Sequence, residues 1–156
     1  MDSWVDDPAR ARAINAFAVE FAVRYMREAA HLFSNDYECA MIFLAVLEAN
    51  GRHNVRQPFF REEFADVRES LPAEMARPVS RQAISESLGM ARETVRRKIA
   101  ALIGKGYLIE DSRGGVITAR GVIATEEFLA AQRRVVGYVR QFRSDLRQYA
   151  GGVEEN

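Results

Sequence analysis

The chain has 156 residues, of which 48% are hydrophobic and 28% charged. This is an ordinary globular composition with enough apolar material for a core. A single cysteine, Cys39, excludes an intramolecular disulfide and is typical of a reducing cytoplasm. The sequence begins without a secretion signal, and no apolar run approaches the roughly 20 residues of a membrane-spanning helix. We therefore expect a cytoplasmic protein with no membrane partner.

Charge is distributed unevenly along the chain, although 22 basic and 22 acidic residues cancel overall. Residues 1–76 hold 8 basic and 13 acidic side chains, whereas residues 77–120 hold 9 basic and 4 acidic ones. The remaining residues, 121–156, hold 5 of each. One short basic segment in an otherwise acidic or neutral chain indicates a local surface that binds a polyanion.

Two helices are predicted in the N-terminal segment, residues 8–51. Apolar residues recur at spacings of three and four from Ile14 to Leu32, which predicts an amphipathic helix from Pro8 to about Phe33. Residues 34–36 end this helix and cap a second one over 37–49. That second helix is apolar on nearly all sides and is therefore expected to be buried, with Cys39 as an inert thiol.

Residues 52–77 form a connecting segment with weaker signals. A short helix is predicted over 61–70, between prolines that interrupt the chain on both sides. Phe59, Phe60 and Phe64 could line a pocket for a small-molecule effector, but aromatic clusters are more often core, and we favour the core. His31 and His53 have no partners at ligand spacing, so we predict neither a metal site nor a cofactor.

A winged helix-turn-helix is predicted over residues 78–120. Ser80 can cap a helix over 81–88, Gly89 can turn the chain, and a second helix follows over 91–103. Two β-rich runs, 107–109 and 116–118, flank a glycine-containing loop and predict a hairpin. The apolar residues expected to hold the two helices together are Ile84, Leu88, Val95, Ile99 and Leu102.

The second of these helices begins with a cluster of charged residues that are predicted to face outward. In a helix-turn-helix, this part of the second helix enters the major groove, which is about 12 Å wide, and reads base edges. Other basic residues of the segment are expected to contact phosphate. The predicted DNA-binding residues are Arg81, Arg92, Glu93, Thr94, Arg96, Arg97, Lys98 and Lys105.

The stretch 80–97, which reads SRQAISESLGMARETVRR, resembles the DNA-binding helices of the cyclic-AMP receptor protein family. The resemblance implies that Arg92, Glu93 and Arg97 contact bases. It covers only about residues 78–110. The nucleotide-binding β-barrel of that family has no counterpart in the first 76 residues, which are predicted to be helical, so cyclic-nucleotide binding is not expected.

The order of elements resembles the MarR family of dimeric regulators, with helices, a winged helix-turn-helix and a long C-terminal helix. The letters DSR at 111–113 and TARG at 118–121 are similar to that family's wing signature of Asp-x-Arg and a later Thr-x-x-Gly. This resemblance implies that Arg113 reaches the DNA backbone or the minor groove. The wing is shorter than usual in the family, and Ala91 stands where a Ser or Thr usually caps the recognition helix.

One long helix is predicted over residues 121–150, from about Val122 to Tyr149. Apolar residues seven apart form a heptad seam, flanked by arginines that we interpret as a solvated face. The seam can pair two copies or pack against the chain's own N-terminal helix, and we favour dimerisation. The predicted dimerisation residues are Ile14, Phe17, Phe21, Phe128, Val135, Val139, Phe142 and Leu146.

The expected fold is mainly α, with a winged helix-turn-helix that has a small β-hairpin wing and is flanked by long N- and C-terminal dimerisation helices. The expected function is that of a sequence-specific transcriptional regulator, which binds double-stranded DNA as a homodimer on a pseudo-palindromic operator. The alternative is a winged-helix module that binds another protein, but the arginine cluster favours DNA. Catalytic signatures such as Gly-x-Ser-x-Gly or His-Glu-x-x-His do not occur, so an enzyme is not expected.

Overall fold

A computed structural model of the protein describes residues 8–54, 57, 66 and 72–150. The helix predicted over 61–70 lies outside the described residues, apart from Asp66, and so do Phe59, Phe60 and Phe64. In the described part of the chain, five α-helices and one β-hairpin are present. They are α1 (Pro8–His31), α2 (Tyr37–Gly51), α3 (Arg81–Leu88), α4 (Arg92–Gly104), β1 (Leu108–Glu110), β2 (Val116–Thr118) and α5 (Glu126–Ala150). The predicted mainly α fold with a small hairpin is confirmed.

A short turn joins α1 to α2 at the residues where the sequence predicted a break. Ser34 and Asn35 adopt left-handed backbone conformations, with φ of 55° and 64°. Asp36 then caps α2, because its carboxylate accepts a hydrogen bond from the Cys39 backbone N–H at 3.0 Å. The thiol of Cys39 is buried, and burial raises its pKa, as expected of an inert cysteine.

One hydrophobic core joins the N-terminal helices to the segment 78–120 and to α5. Its centre is a cluster of four aromatic rings, one each from the turn after α1, from α2, from the loop after α4, and from α5. The ring of Phe33 lies 5.0 Å from that of Tyr107, and the ring of Phe43 lies 5.5 Å from that of Phe128. These elements therefore pack as one body rather than as separate units.

The hairpin is antiparallel, with Ile109 opposite Ile117 in the register. Val79, just before α3, pairs with Val116 through backbone hydrogen bonds of 3.1 and 2.9 Å. The chain that enters α3 is therefore attached to the hairpin that follows α4. Leu108 and Val116 point into the core and are fully buried, which fixes the hairpin against the helices.

The helices α1 and α5 run antiparallel along each other. Phe21 stacks on Phe142 with ring centroids 5.5 Å apart, and Phe17 meets Tyr149 edge to face at 5.7 Å. Glu28, which is buried, accepts hydrogen bonds from Arg134 and Tyr138 (2.7 and 2.8 Å). Burial raises the pKa of Glu28, but these hydrogen bonds outweigh it, so the pKa is lowered.

The heptad seam predicted for dimerisation therefore packs mainly within one chain. Phe128 is buried in the core, while Val135, Phe142 and Leu146 are half-buried and Val139 is 46% exposed. The alternative of packing against the chain's own N-terminal helix accounts for these contacts. The long helix also begins later than predicted, because a 3₁₀ turn, Val122–Ala124, precedes it.

Candidate nucleic-acid interface

The angle between α3 and α4 is fixed by a tight turn and a shared apolar contact. Gly89 ends α3 with a φ of 63°, a conformation that favours glycine. Ser85, buried between the helices, donates from Oγ to the carbonyl of Met90 at 2.6 Å. The predicted core is largely confirmed, since four of its residues are fully buried and Leu88 is partly buried; the four are Ile84, Val95, Ile99 and Leu102.

The first two turns of α4 present charged side chains to solvent, as the sequence predicted. Glu93 and Arg96 form an ion pair in which Arg96 donates from Nε at 2.8 Å and from Nη2 at 2.6 Å. This hydrogen bonding lowers the pKa of Glu93. Arg92 and Arg97 are exposed and form no hydrogen bond or ion pair with the residues that the structure describes. Two guanidinium groups are therefore available to a ligand at this surface.

The N-terminus of α4 has no side-chain cap. Ala91 occupies the capping position and offers no acceptor to the backbone N–H groups of the first turn. Thr94, in the first turn of α4, is half-buried. The positive end of the helix macrodipole adds to the charge of Arg92 at this surface.

Lys98, which the sequence assigned to phosphate contact, is occupied within the protein. Its Nζ lies 2.5 Å from Asp36 Oδ2 and 3.1 Å from Glu38 Oε2, and its side chain is only 17% exposed. The hydrogen bond from Lys98 lowers the pKa of Asp36 to about 2. Lys98 therefore attaches α4 to the beginning of α2, and its predicted contact with phosphate stays a prediction for a side chain that already has two partners within the protein.

The remaining cations of the predicted set differ in their surroundings. The guanidinium of Arg81, at the start of α3, donates to both carboxylate oxygens of Glu110 in β1. Lys105 follows α4, is exposed, and makes no ion pair with another described residue. Of these two, Lys105 is the better placed to bind an external anion, because Arg81 already has a partner.

Arg113, in the loop of the hairpin, makes its contacts within the protein. Its Nη2 donates to the carbonyls of Ala73 and Ala76, both at 3.0 Å, so the guanidinium covers a 3₁₀ turn, Ala73–Met75, that precedes α3. Asp111 accepts two further hydrogen bonds from the same side chain, at 2.8 and 2.9 Å. This pairing lowers the pKa of Asp111 to about 2. Arg113 thus connects the hairpin loop to the segment before α3, whereas the resemblance implied an arginine that extends towards DNA.

Asn50 is a structural residue of this region that the sequence did not single out. It is buried, and its amide Nδ2 donates to the carbonyl of Arg77 at 2.7 Å while Oδ1 accepts from the backbone N–H of Thr118 at 2.9 Å. The end of α2 is thereby joined to the segment before α3 and to β2. The sequence signal was only an Asn-Gly pair at a helix end, which indicates a terminus rather than a bridge.

Two exposed arginines of the basic segment, Arg77 and Arg120, were also absent from the predicted set. Both contribute to the excess of positive charge over residues 77–120, and this excess was the only sequence signal that could have identified them. Arg77 lies just before α3, and Arg120 lies just after β2.

No family model, no curated protein and no solved structure matches the chain. In the part of the chain that the structure describes, no helix is long and apolar enough to cross a membrane. Any function is therefore to be inferred from the residues and geometry of this surface.

Proposed function

We propose that the protein is a sequence-specific DNA-binding transcriptional regulator, in which α3, α4 and the hairpin form a winged helix-turn-helix. α4 is the recognition helix and enters the major groove with its N-terminal turns. The functional unit is a homodimer on a pseudo-palindromic operator, because one recognition helix covers too few base pairs for useful specificity.

The observation that carries this proposal is the contrast between two sides of α4. On its inner side Val95, Ile99 and Leu102 are fully buried, and Lys98 is paired with the start of α2. On its outer side Arg92 and Arg97 are exposed without ion-pair partners among the described residues. A rigidly held helix that presents unpaired arginines suits bidentate recognition of guanine.

Glu93 and Arg96 contribute in a different way. In the free protein they neutralise each other, at 2.6 Å between Arg96 Nη2 and Glu93 Oε1. Near DNA, Arg96 can turn to a phosphate while Glu93 accepts from a cytosine N4 amino group. Both side chains would then exchange their exposed ion pair, which is worth little in water, for a contact with DNA.

The test is selection of bound sequences from a random duplex pool by the full-length protein, followed by titration of the selected site by fluorescence anisotropy. We expect an enriched pseudo-palindrome and an affinity that falls steeply with salt. The specific site should bind at least 10³-fold more tightly than random duplex at the same salt concentration. Retention of random DNA without enrichment would contradict sequence-specific binding, and absence of any retention at low salt would contradict DNA binding altogether.

A further inference from the structure

One side chain of α4 forms a polar link to another helix. Lys98 lies near the middle of α4, and its ammonium contacts both Asp36, the cap of α2, and Glu38, in the first turn of α2. Among the residues that the structure describes, no other side chain of α4 makes a hydrogen bond or an ion pair with a different element. Otherwise α4 is held by apolar packing, in which Ile99 is fully buried.

The apolar stripe of α4 and the Lys98 contact restrain the helix in different ways. Val95, Ile99 and Leu102 lie along one line of the helix and pack into the core. Burial of apolar surface is non-directional, so it holds the stripe inward but restrains rotation about the helix axis less strictly. Lys98 lies to one side of this stripe, and a hydrogen bond requires a particular distance and angle. A link at that position resists rotation of α4.

The partner of Lys98 is itself fixed in place. One oxygen of Asp36, Oδ1, accepts from the backbone N–H of Cys39 at 3.0 Å, while Oδ2 lies 2.5 Å from Lys98 Nζ. Asp36 therefore cannot follow a displaced Lys98 without breaking the cap of α2. The hydrogen bond to Asp36 raises the pKa of Lys98, so the ammonium stays charged over the physiological range. The link is a permanent one in the folded protein.

Rotation of α4 would displace the arginines on its outer side. A side chain about 5–6 Å from the helix axis moves by about 1 Å when the helix rotates by about 10°. Binding groups have to be held within about 0.5 Å of their productive positions. Arg97, which follows α4 only one residue before Lys98, is the exposed side chain most directly tied to this link.

We propose that Lys98 is a positioning residue for base recognition: it sets the rotation of α4, and thereby the direction of Arg92 and Arg97, without contacting DNA itself. This role rests on the proposed function, in which α4 reads base edges. It distinguishes Lys98 from a lysine that binds phosphate, because loss of a phosphate contact weakens all sequences and loss of orientation weakens the operator alone.

The experiment measures the affinity of the full-length protein for the selected operator and for random duplex over a series of salt concentrations. Lys98→Met keeps an unbranched side chain that can pack along the helix but removes the ammonium. We expect the operator to bind about tenfold more weakly and random duplex to bind within about twofold of the wild type. The slope of log affinity against log salt concentration should not change, because no phosphate contact is lost.

The matched control is Lys105→Met, because Lys105 is an exposed lysine without an ion-pair partner among the described residues. It should weaken operator and random duplex alike and reduce the salt slope by about one. Lys98→Arg keeps a cation within reach of both carboxylates and should retain most of the preference for the operator.

A second variant removes the partners and keeps the lysine. In the double variant Asp36→Asn with Glu38→Gln, the ratio of operator affinity to random-duplex affinity should fall as it does in Lys98→Met. A lysine that serves by binding phosphate would instead be released by this change, which would tighten both duplexes and leave the ratio unchanged. Partial unfolding also leaves the ratio unchanged, since it reduces the active fraction for both duplexes equally.

A wild-type ratio in Lys98→Met or in the double variant would overturn the positioning role. Equal weakening of both duplexes in Lys98→Met, with a salt slope lower by about one, would overturn it as well and assign Lys98 to phosphate. These results would leave DNA binding by α4 intact, because the operator would already have been selected. A selection that enriches no sequence would refute the proposed function and the positioning role together.

Discussion

Arg97 and Lys98 are neighbours in the sequence, yet their environments differ. Lys98 turns inward to Asp36 and Glu38, whereas Arg97 faces solvent without an ion-pair partner among the described residues. The helical rotation of about 100° between consecutive residues separates the two. A basic residue in a recognition helix is therefore available to DNA only on the outer side of that helix.

We expect Arg97→Ala to weaken binding to the selected operator by about 1–3 kcal/mol and to relax the base preference at one position. The measurement is anisotropy on the operator and on its single-base variants. Lys105→Ala is the matched control. Loss of an exposed lysine that contacts phosphate should weaken binding to all duplexes alike and reduce the slope of log affinity against log salt concentration by about one. Unchanged affinity and preference in Arg97→Ala would show that α4 does not read bases through this residue.

Asp36→Asn should lower the free energy of unfolding at neutral pH by up to about 1 kcal/mol, since the partly exposed ion pair with Lys98 is screened by water. The asparagine keeps an acceptor for the Cys39 N–H, so the cap of α2 remains. The hydrogen bond from Lys98 lowers the pKa of Asp36 to about 2 in the folded protein, below its ordinary value of 3.8. The stabilisation is thus present above about pH 4 and disappears as the pH falls towards 2.

Urea denaturation of both proteins over pH 2–7 measures this difference. The two stability curves should converge at the acid end, where the carboxyl of the wild-type protein is protonated. Asp36→Ala serves as the reference for the helix cap. Because it also removes the cap, its free energy of unfolding at neutral pH should be about 1 kcal/mol lower than that of Asp36→Asn. A constant difference between Asp36→Asn and the wild type across the whole range would contradict the assigned ion pair.

At the scale of elements, the hairpin is held by contacts that local sequence patterns do not contain. The pattern predicted a hairpin, and the strands differ from the predicted runs by one residue at most. Arg113, however, was expected to extend towards DNA, and it instead reaches carbonyls about 40 residues earlier in the chain. Propensity and periodicity predict elements, but a long polar side chain's partner depends on the tertiary packing.

Gly115→Ala should destabilise the protein by about 1–3 kcal/mol, because the added Cβ would lie 2.6 Å from the backbone oxygen of Val79. That contact would displace the segment that enters α3. Gly114→Ala is the matched control: both glycines have a φ near +90°, but a Cβ at Gly114 meets nothing within 4 Å. Both variants introduce the same backbone strain, and only Gly115→Ala adds the steric contact. The difference between their midpoints of thermal unfolding therefore measures the steric contact alone.

Equal loss of stability in the two glycine variants would contradict the close approach of the hairpin loop to Val79. If the contact is as described, Gly115→Ala should also weaken binding of specific and random duplexes together, because the start of α3 is displaced. Gly114→Ala should affect DNA binding less than Gly115→Ala does.

At the scale of the whole molecule, the sequence predicted the elements better than it predicted which surfaces they bury. The heptad seam of α5 was correctly identified as apolar, but Phe142 and Tyr149 pack on α1 of the same chain. A seam carries no information on whether its partner helix belongs to the same molecule or to another one. The exposed Val136 and Val139 are visible as a separate surface only after α1 has been placed.

The spacing of half-sites tests the whole assembly. Two recognition helices in a twofold dimer contact half-sites about 34–36 Å apart, which is one turn of the duplex, or 10–10.5 base pairs. Inserting 5 base pairs between the half-sites of the selected operator rotates one of them by about half a turn. We expect the affinity to fall at least tenfold, about 1.4 kcal/mol, since both helices can no longer bind together. A duplex with a single half-site is the reference for binding by one recognition helix. Equal wild-type affinity for the original and the expanded operator would mean that each chain binds DNA independently of the other.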